Sequence, residues 1–260
     1  MNRSALLKSA ALPLAALLLA PLACLAQGSA EHTYEVFTET IKPGMTAKVE
    51  QGIKAVDDYA QSHGDPVGSE AYQVVTGPNM GQLVILAAFD WATADQTPSY
   101  AAGLDRVVQQ RVEPYLSNLV IQLSDLLPQY GSPAPAGSTP MKYYDVEQYV
   151  IKPDRMGAFL AAIAGLTAAE HKENPGSSPV YVYAPRSGGN ANEITIAIGH
   201  SSIADFAKPG MSTFQALQKA YGDQVAIAIW NSAMKSIVSE NDEIIEYRPD
   251  LSYVPSGQGQ

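Results

Sequence analysis

The sequence predicts an α+β fold made of two tandem copies of one βαββαβ unit, and three observations predict it. The first is a repeat. Tyr34 to Met45 reads YEVFTETIKPGM and Tyr144 to Met156 reads YDVEQYVIKPDRM, so Ile-Lys-Pro returns at Ile41 and Ile151. The second is register: DWATAD, from Asp90, lies over HSSIAD, from His200, at the same offset of about 110 residues, the mark of a duplicated module. The third is a change of period within each copy. Tyr34 to Lys42 alternates like a strand and stops at Pro43, after which Val49, Ile53 and Val56 recur with helical spacing.

The elements follow in order. Thr46 to Ser62 is the first helix, and Phe159, Ile163 and Leu166 form the matching stripe in the second copy. The turn-rich segment from His63 to Gly68 leads to a strand from Ala71 to Thr76. GPNMGQ then turns the chain into Leu83 to Asp90. The second copy repeats this hairpin with Val180 to Ala184, the loop PRSGGNAN, and Glu193 to His200. A second helix is expected through Leu104, Val107, Val108, Val112 and Leu116, bent or restarted at Pro114, and in the other copy from Phe214 to Ser239. Short strands at Leu126-Leu127 and Ile244 to Tyr247 close the units. The expected organisation is a leader over 1–26, a first unit over 31–130, the Pro/Gly/Ser-rich linker 131–140 and a second unit over 141–254.

The order β-α-β-β-α-β is that of the ferredoxin-like split unit. At this length and in tandem, the chain resembles the dimeric α+β-barrel superfamily, a fused pair similar to NIPSNAP-like and antibiotic-biosynthesis monooxygenase-like domains. That group also includes chlorite-dismutase-like proteins. The resemblance implies two units packed sheet to sheet as a pseudo-dimeric barrel. It carries activity only weakly, because folds host many chemistries. It would allow a cofactor-independent monooxygenase- or isomerase-like enzyme.

The N-terminus reads as an export signal. Arg3 and Lys8 precede the apolar stretch Leu12 to Leu22, and small residues follow to Ala26, giving an expected cleavage there and a periplasmic or secreted product. The stretch is interrupted by Pro13 and Pro21 and is short for a bilayer core about 30 Å thick, so no membrane span is expected. A lipoprotein reading at Cys24 stays open, though Pro21 occupies a position that normally wants an aliphatic residue. Cys24 is the one cysteine, so cleavage at Ala26 leaves neither disulfide nor thiolate chemistry. The formal charge of −10, with no basic cluster, excludes nucleic acid as a partner.

Two sets of residues are candidates for chemistry. On the first strand of each copy, Tyr34 and Val36, with Tyr144, Val146 and Val150, point one way. Glu35, Phe37, Glu39 and Ile41, with Asp145, Glu147, Tyr149 and Ile151, point the other. If the apolar set meets the helices, the carboxylates face the barrel interior, where Glu35, Phe37, Glu39, Asp145, Glu147 and Tyr149 would bind a small polar or amphipathic ligand. The plainer reading is that these acids are simply solvated. The second set is Asp90 and His200, equivalent strand ends, with Tyr149 and the strand tyrosines Tyr72, Tyr181 and Tyr183 as acid/base partners. Strand-end polar residues more often cap a loop.

No metal or cofactor is expected. The four histidines, His32, His63, His171 and His200, form no ligand-spaced pair. The superfamily's haem enzymes imply an axial histidine on a second helix, which is absent here. The expectation is an exported ligand-binding or scaffold protein, with the enzyme as its alternative and further homo-oligomerisation left open.

Overall fold

The alternating segment at the first repeat folds as β1 (Thr33–Ile41), and the helical stripe as α1 (Thr46–Ser62). The chain continues through β2 (Ser69–Val74), β3 (Leu83–Phe89), α2 (Ala101–Arg111) and β4 (Leu116–Leu126). The second half repeats the order: β5 (Tyr143–Ile151), α3 (Met156–Glu173), β6 (Val180–Ser187) and β7 (Glu193–His200). Two helices, α4 (Thr213–Tyr221) and α5 (Asp223–Ser236), then precede β8 (Ile237–Tyr247). The computed structural model describes residues 32–135, 138–207 and 211–255, so the expected leader over 1–26 lies outside the described residues. No described helix is long and apolar enough to cross a membrane.

The eight strands close into one antiparallel barrel in the order β1-β3-β2-β8-β5-β7-β6-β4. Within it each half keeps the same strand order, β4-β1-β3-β2 and β8-β5-β7-β6. The halves meet edge to edge at two seams. β2 pairs with β8 from Tyr72↔Tyr247 to Val74↔Ile245, and β4 pairs with β6 from Leu123↔Ser187 to Leu126↔Tyr183. Closure removes every strand edge that a lone four-stranded sheet would expose.

The second helix of the first copy is shorter than the spacing suggested. It ends at Arg111, Glu113–Tyr115 form a 3₁₀ turn around Pro114, and Leu116 opens an eleven-residue strand. Proline lacks the donor needed to continue the ladder. Leu119, Ile121 and Leu123 then take alternate positions against Glu39, Phe37 and Glu35 of β1. Likewise α5 ends at Ser236, and the acidic run after Ile237 is strand because β5 pairs with it along its whole length. The expected single helix from Phe214 is broken at Gly222, whose φ of 82° only glycine adopts readily.

The helices cover the outside of the barrel. Under α1, Val49 and Ile53 pack with Leu83, Val112 and Leu116; under α3, Phe159 and Ile163 pack with Ile151, Ile194 and Ile196. Gly52 lets α1 approach α2, since a methyl there would overlap the Arg111 carbonyl. Each half also plugs the other. The turn Pro249–Leu251, after β8, buries Leu251 completely in the first half's core, and Leu127 and Tyr130, after β4, pack on the second.

Candidate functional site: a tyrosine-lined well in the barrel

Strand register decides which face looks inward. Ile41 and Ile151 pack in the layers beneath α1 and α3, so every residue of their parity on β1 and β5 faces outward. The expectation that the carboxylates line the interior is therefore reversed. Glu35, Phe37 and Glu39, with Asp145, Glu147 and Tyr149, lie on the outer, helix-covered face, and the Tyr/Val face fills the barrel. The reason is volume. Large aliphatic side chains from neighbouring strands can meet a helix only on that parity, and a one-residue choice of face carries the whole strand with it.

Tyr72, Val74, Tyr144, Val146, Ala197 and Ile245 make the interior core. At one end the packing changes from aliphatic to phenolic. Tyr72 lies edge-on to Tyr144 at 5.6 Å and tilted to Tyr247 at 5.5 Å, and Tyr144 lies edge-on to Tyr181 at 6.0 Å. Tyr34 meets Tyr183 edge-on at 6.0 Å. Edge-to-face geometry suits the ring quadrupole.

Glu70, on the inner parity of β2, accepts a 2.6 Å hydrogen bond from the Tyr72 hydroxyl. It is nevertheless exposed, as is inward-facing Ala88, and Tyr34, Tyr181 and Tyr183 are only half-buried. Inward-facing side chains that still meet solvent mark this mouth of the barrel, termed the well, with Glu70 at its rim and Tyr72 and Tyr144 buried. Burial first, and then the Glu70 charge among other groups, raises the pKa of Tyr34, Tyr72, Tyr144, Tyr181 and Tyr183. These phenols stay protonated at neutral pH and act as hydrogen-bond donors rather than bases.

The sites expected from sequence do not share one cavity. β1 and β5 are four places apart in the eight-stranded ring, so their outer faces point away from each other. β3 and β7 are also four apart, which separates Asp90 from His200. Asp90 caps its own turn, accepting from the Ala92 amide at 2.9 Å and the Thr93 hydroxyl at 3.2 Å. His200 packs tilted against Phe206 at 4.1 Å; burial lowers its pKa, while Asp145 and Asp205 oppose that shift.

On the second half's outer face Asp145, Glu147 and Tyr149 do come together. The Tyr149 hydroxyl donates to Glu147 at 2.9 Å and reaches Glu240 at 3.4 Å. Burial raises the pKa of Glu147, with Asp145, Glu240 and Asp242 adding to it and Tyr149 opposing it. Glu39 is different in kind. It is 6% exposed, sits between Leu83 and Leu119, and one of its oxygens is enclosed with no hydrogen-bond partner. Burial pushes its pKa up to about 7.

Sequence reasoning singled out Tyr72, Tyr181 and Tyr183 but missed Glu70 and Tyr247, and set Tyr34 and Tyr144 on the helix side. The available signal was Tyr34 and Tyr144 returning at the same place in both copies. Among the described residues no group of three or more His, Cys, Asp or Glu is placed to hold a metal. Haem does not fit either. The layer between α3, α5 and the second sheet is filled by Phe159, Ile194, Ile196 and Ala233, and His171 is exposed on the last turn of α3.

No family model and no curated protein matches the chain. Solved structures share its fold. A candidate monooxygenase from Lactobacillus acidophilus superposes with a TM-score of 0.54 at 10% identity, over 86% of this chain and 96% of that one. A second candidate monooxygenase, from Fusobacterium nucleatum, gives 0.51 at 13% identity over 85% and 94% of the two chains. Chlorite dismutase from Candidatus Nitrospira defluvii gives 0.50 at 12%, covering 84% and 92%. The chain thus has a ferredoxin-like α+β fold of the kind seen in these proteins, and the likeness extends over nearly their whole length.

Proposed function

We propose that this is an exported α+β-barrel protein, a fused pair of ferredoxin-like units similar to NIPSNAP-like domains, that binds a small polar or amphipathic molecule in the tyrosine well. The observation that carries the reading is Glu70, an exposed carboxylate on an inward-facing position, ringed by phenols that cannot ionise at neutral pH. A packed core of no functional consequence has no reason to set an exposed carboxylate on an inward-facing position beside phenols. Export rests on the leader over residues 1–26 and gives a periplasmic or secreted protein.

Native mass spectrometry of protein purified from its own compartment tests both parts. A species that begins near Gln27 and carries a small molecule supports them; a chain retaining its leader removes the export claim. Ala88→Trp should plug the mouth, since Ala88 is inward-facing and exposed, and should abolish the adduct without lowering the melting temperature. A bound molecule that survives Ala88→Trp unchanged places the ligand elsewhere.

One observation favours the second reading, a cofactor-independent monooxygenase- or isomerase-like enzyme. Glu39 is a buried, unpartnered carboxyl with a pKa of about 7, the condition a general base at neutral pH requires. That reading puts the chemistry in the helix–sheet layer of the first half. The folds of the candidate monooxygenases are compatible with it.

A further inference from the structure

We infer that the well selects a small organic cation, an alkylammonium or quaternary ammonium group, in preference to a neutral or anionic molecule. The inference rests on the ligand-binding reading of the well and adds its charge class. The first ground is the inner face of the barrel. By register the charged residues on it are Glu70, Glu193 and Glu243, and no lysine or arginine shares that face among the described strands. The arginines nearest the seams are committed outside. Arg186 pairs with Asp125 at 3.1 Å, and Arg248 pairs with Glu50 and Asp250 at 2.9 Å each. An anion entering the barrel would meet only like charge.

The second ground is the kind of surface presented. Tyr247, Tyr72, Tyr144 and Tyr181 form a continuous sequence of rings at 5.5 to 6.0 Å, with Tyr34 and Tyr183 paired beside them at 6.0 Å. Several π faces beside one carboxylate attract a cation whose charge is spread over CH groups and whose hydration is weak. A metal ion is disfavoured by the same geometry. It needs several convergent anionic oxygens, whereas here a single carboxylate faces phenols that keep their protons.

The third ground is access. Glu70 is exposed at the rim, so it is reachable, and its 2.6 Å hydrogen bond from Tyr72 fixes the position of the carboxylate. Glu243, which Asn79 bonds at 3.1 Å, and Glu193, opposite Val150 on β5, lie away from the Tyr34 and Tyr144 end of the barrel, leaving Glu70 as the carboxylate of the well.

The test is a titration of the full chain with choline and with 3,3-dimethyl-1-butanol, its uncharged isostere, followed by calorimetry and by tyrosine-ring NMR. Choline should bind on the order of tenfold tighter than the alcohol, and Glu70→Gln should remove that tenfold preference while leaving the alcohol's binding unchanged. Because Glu70 is exposed, the substitution should not alter the melting temperature. Equal binding of the two probes, with the same tyrosine resonances shifting, would overturn the cation assignment while leaving a ligand site in the well. Binding of neither probe overturns the inference, and the retained-ligand measurement then decides the binding reading independently.

Discussion

Expressed as two separate chains, spanning 32–135 and 138–255, neither half should give a stable folded monomer, and mixing them should restore cooperative unfolding. Three features act together. Separation opens four strand edges at the β2–β8 and β4–β6 seams. It bares the inner sheet face that carries Tyr72, Val74, Tyr144 and Ile245. It also withdraws Leu251 from the first core and Leu127 and Tyr130 from the second. An exposed edge beside an exposed apolar face favours association over a monomer. Within the intact chain Leu251→Ala should cost about 2–5 kcal/mol, as for other fully buried leucines, although the residue lies almost at the C-terminus. Circular dichroism and size-exclusion chromatography provide the check. Two halves that melt cooperatively as monomers would sink the shared-core account.

Glu39→Gln should stabilise the protein at pH 8 by up to about 3 kcal/mol and have little effect at pH 5. The sign follows from the direction of the shift. Burial raises the Glu39 pKa from 4.5 to about 7, so the folded state disfavours the ionised form. Stability linked to this group is fully present below about pH 4.5 and is lost as pH rises through about 7. Glutamine keeps the shape and removes the ionisation. The comparison is of melting curves for the two proteins at both pH values, and an equal effect at the two would show that Glu39 is paired or solvated in solution. Burial also raises the pKa of Glu35, Asp145, Glu147 and Glu243, so the parent protein should itself melt higher in mild acid than in mild base. If the enzyme reading holds, the same substitution should abolish turnover while raising stability, since stability is commonly given up where a buried ionisable group has chemistry to perform.

The sequence alone determined what depends on local pattern. The repeat of Ile-Lys-Pro, the alternation from Tyr34 and the stripe of Val49, Ile53 and Val56 specified a strand and helix in each copy, and α1 and β7 carry the bounds their residues implied. Backbone sterics and side-chain period act within a few residues, so a reader of the chain can see them. The long strand β4 was hidden, because Leu116, Leu119, Leu123 and Leu126 suit a helix as well as a strand until β1 and β6 pair with it. The start of β8 was hidden for the same reason, since the expected helix ran on to Ser239 and the expected strand began only at Ile244.

The site was the least legible part. Alternation showed that Tyr34 and Glu35 lie on opposite faces but not which face is inside, a choice made by helix packing on Ile41 and Ile151. Barrel closure then set Glu39 and Glu147 on opposite sides of the molecule, and gathered tyrosines from four strands around Glu70. Most of these proximities join residues of different halves of the chain, and no local pattern encodes them. Only the edge-to-edge pairing of the two halves creates the well.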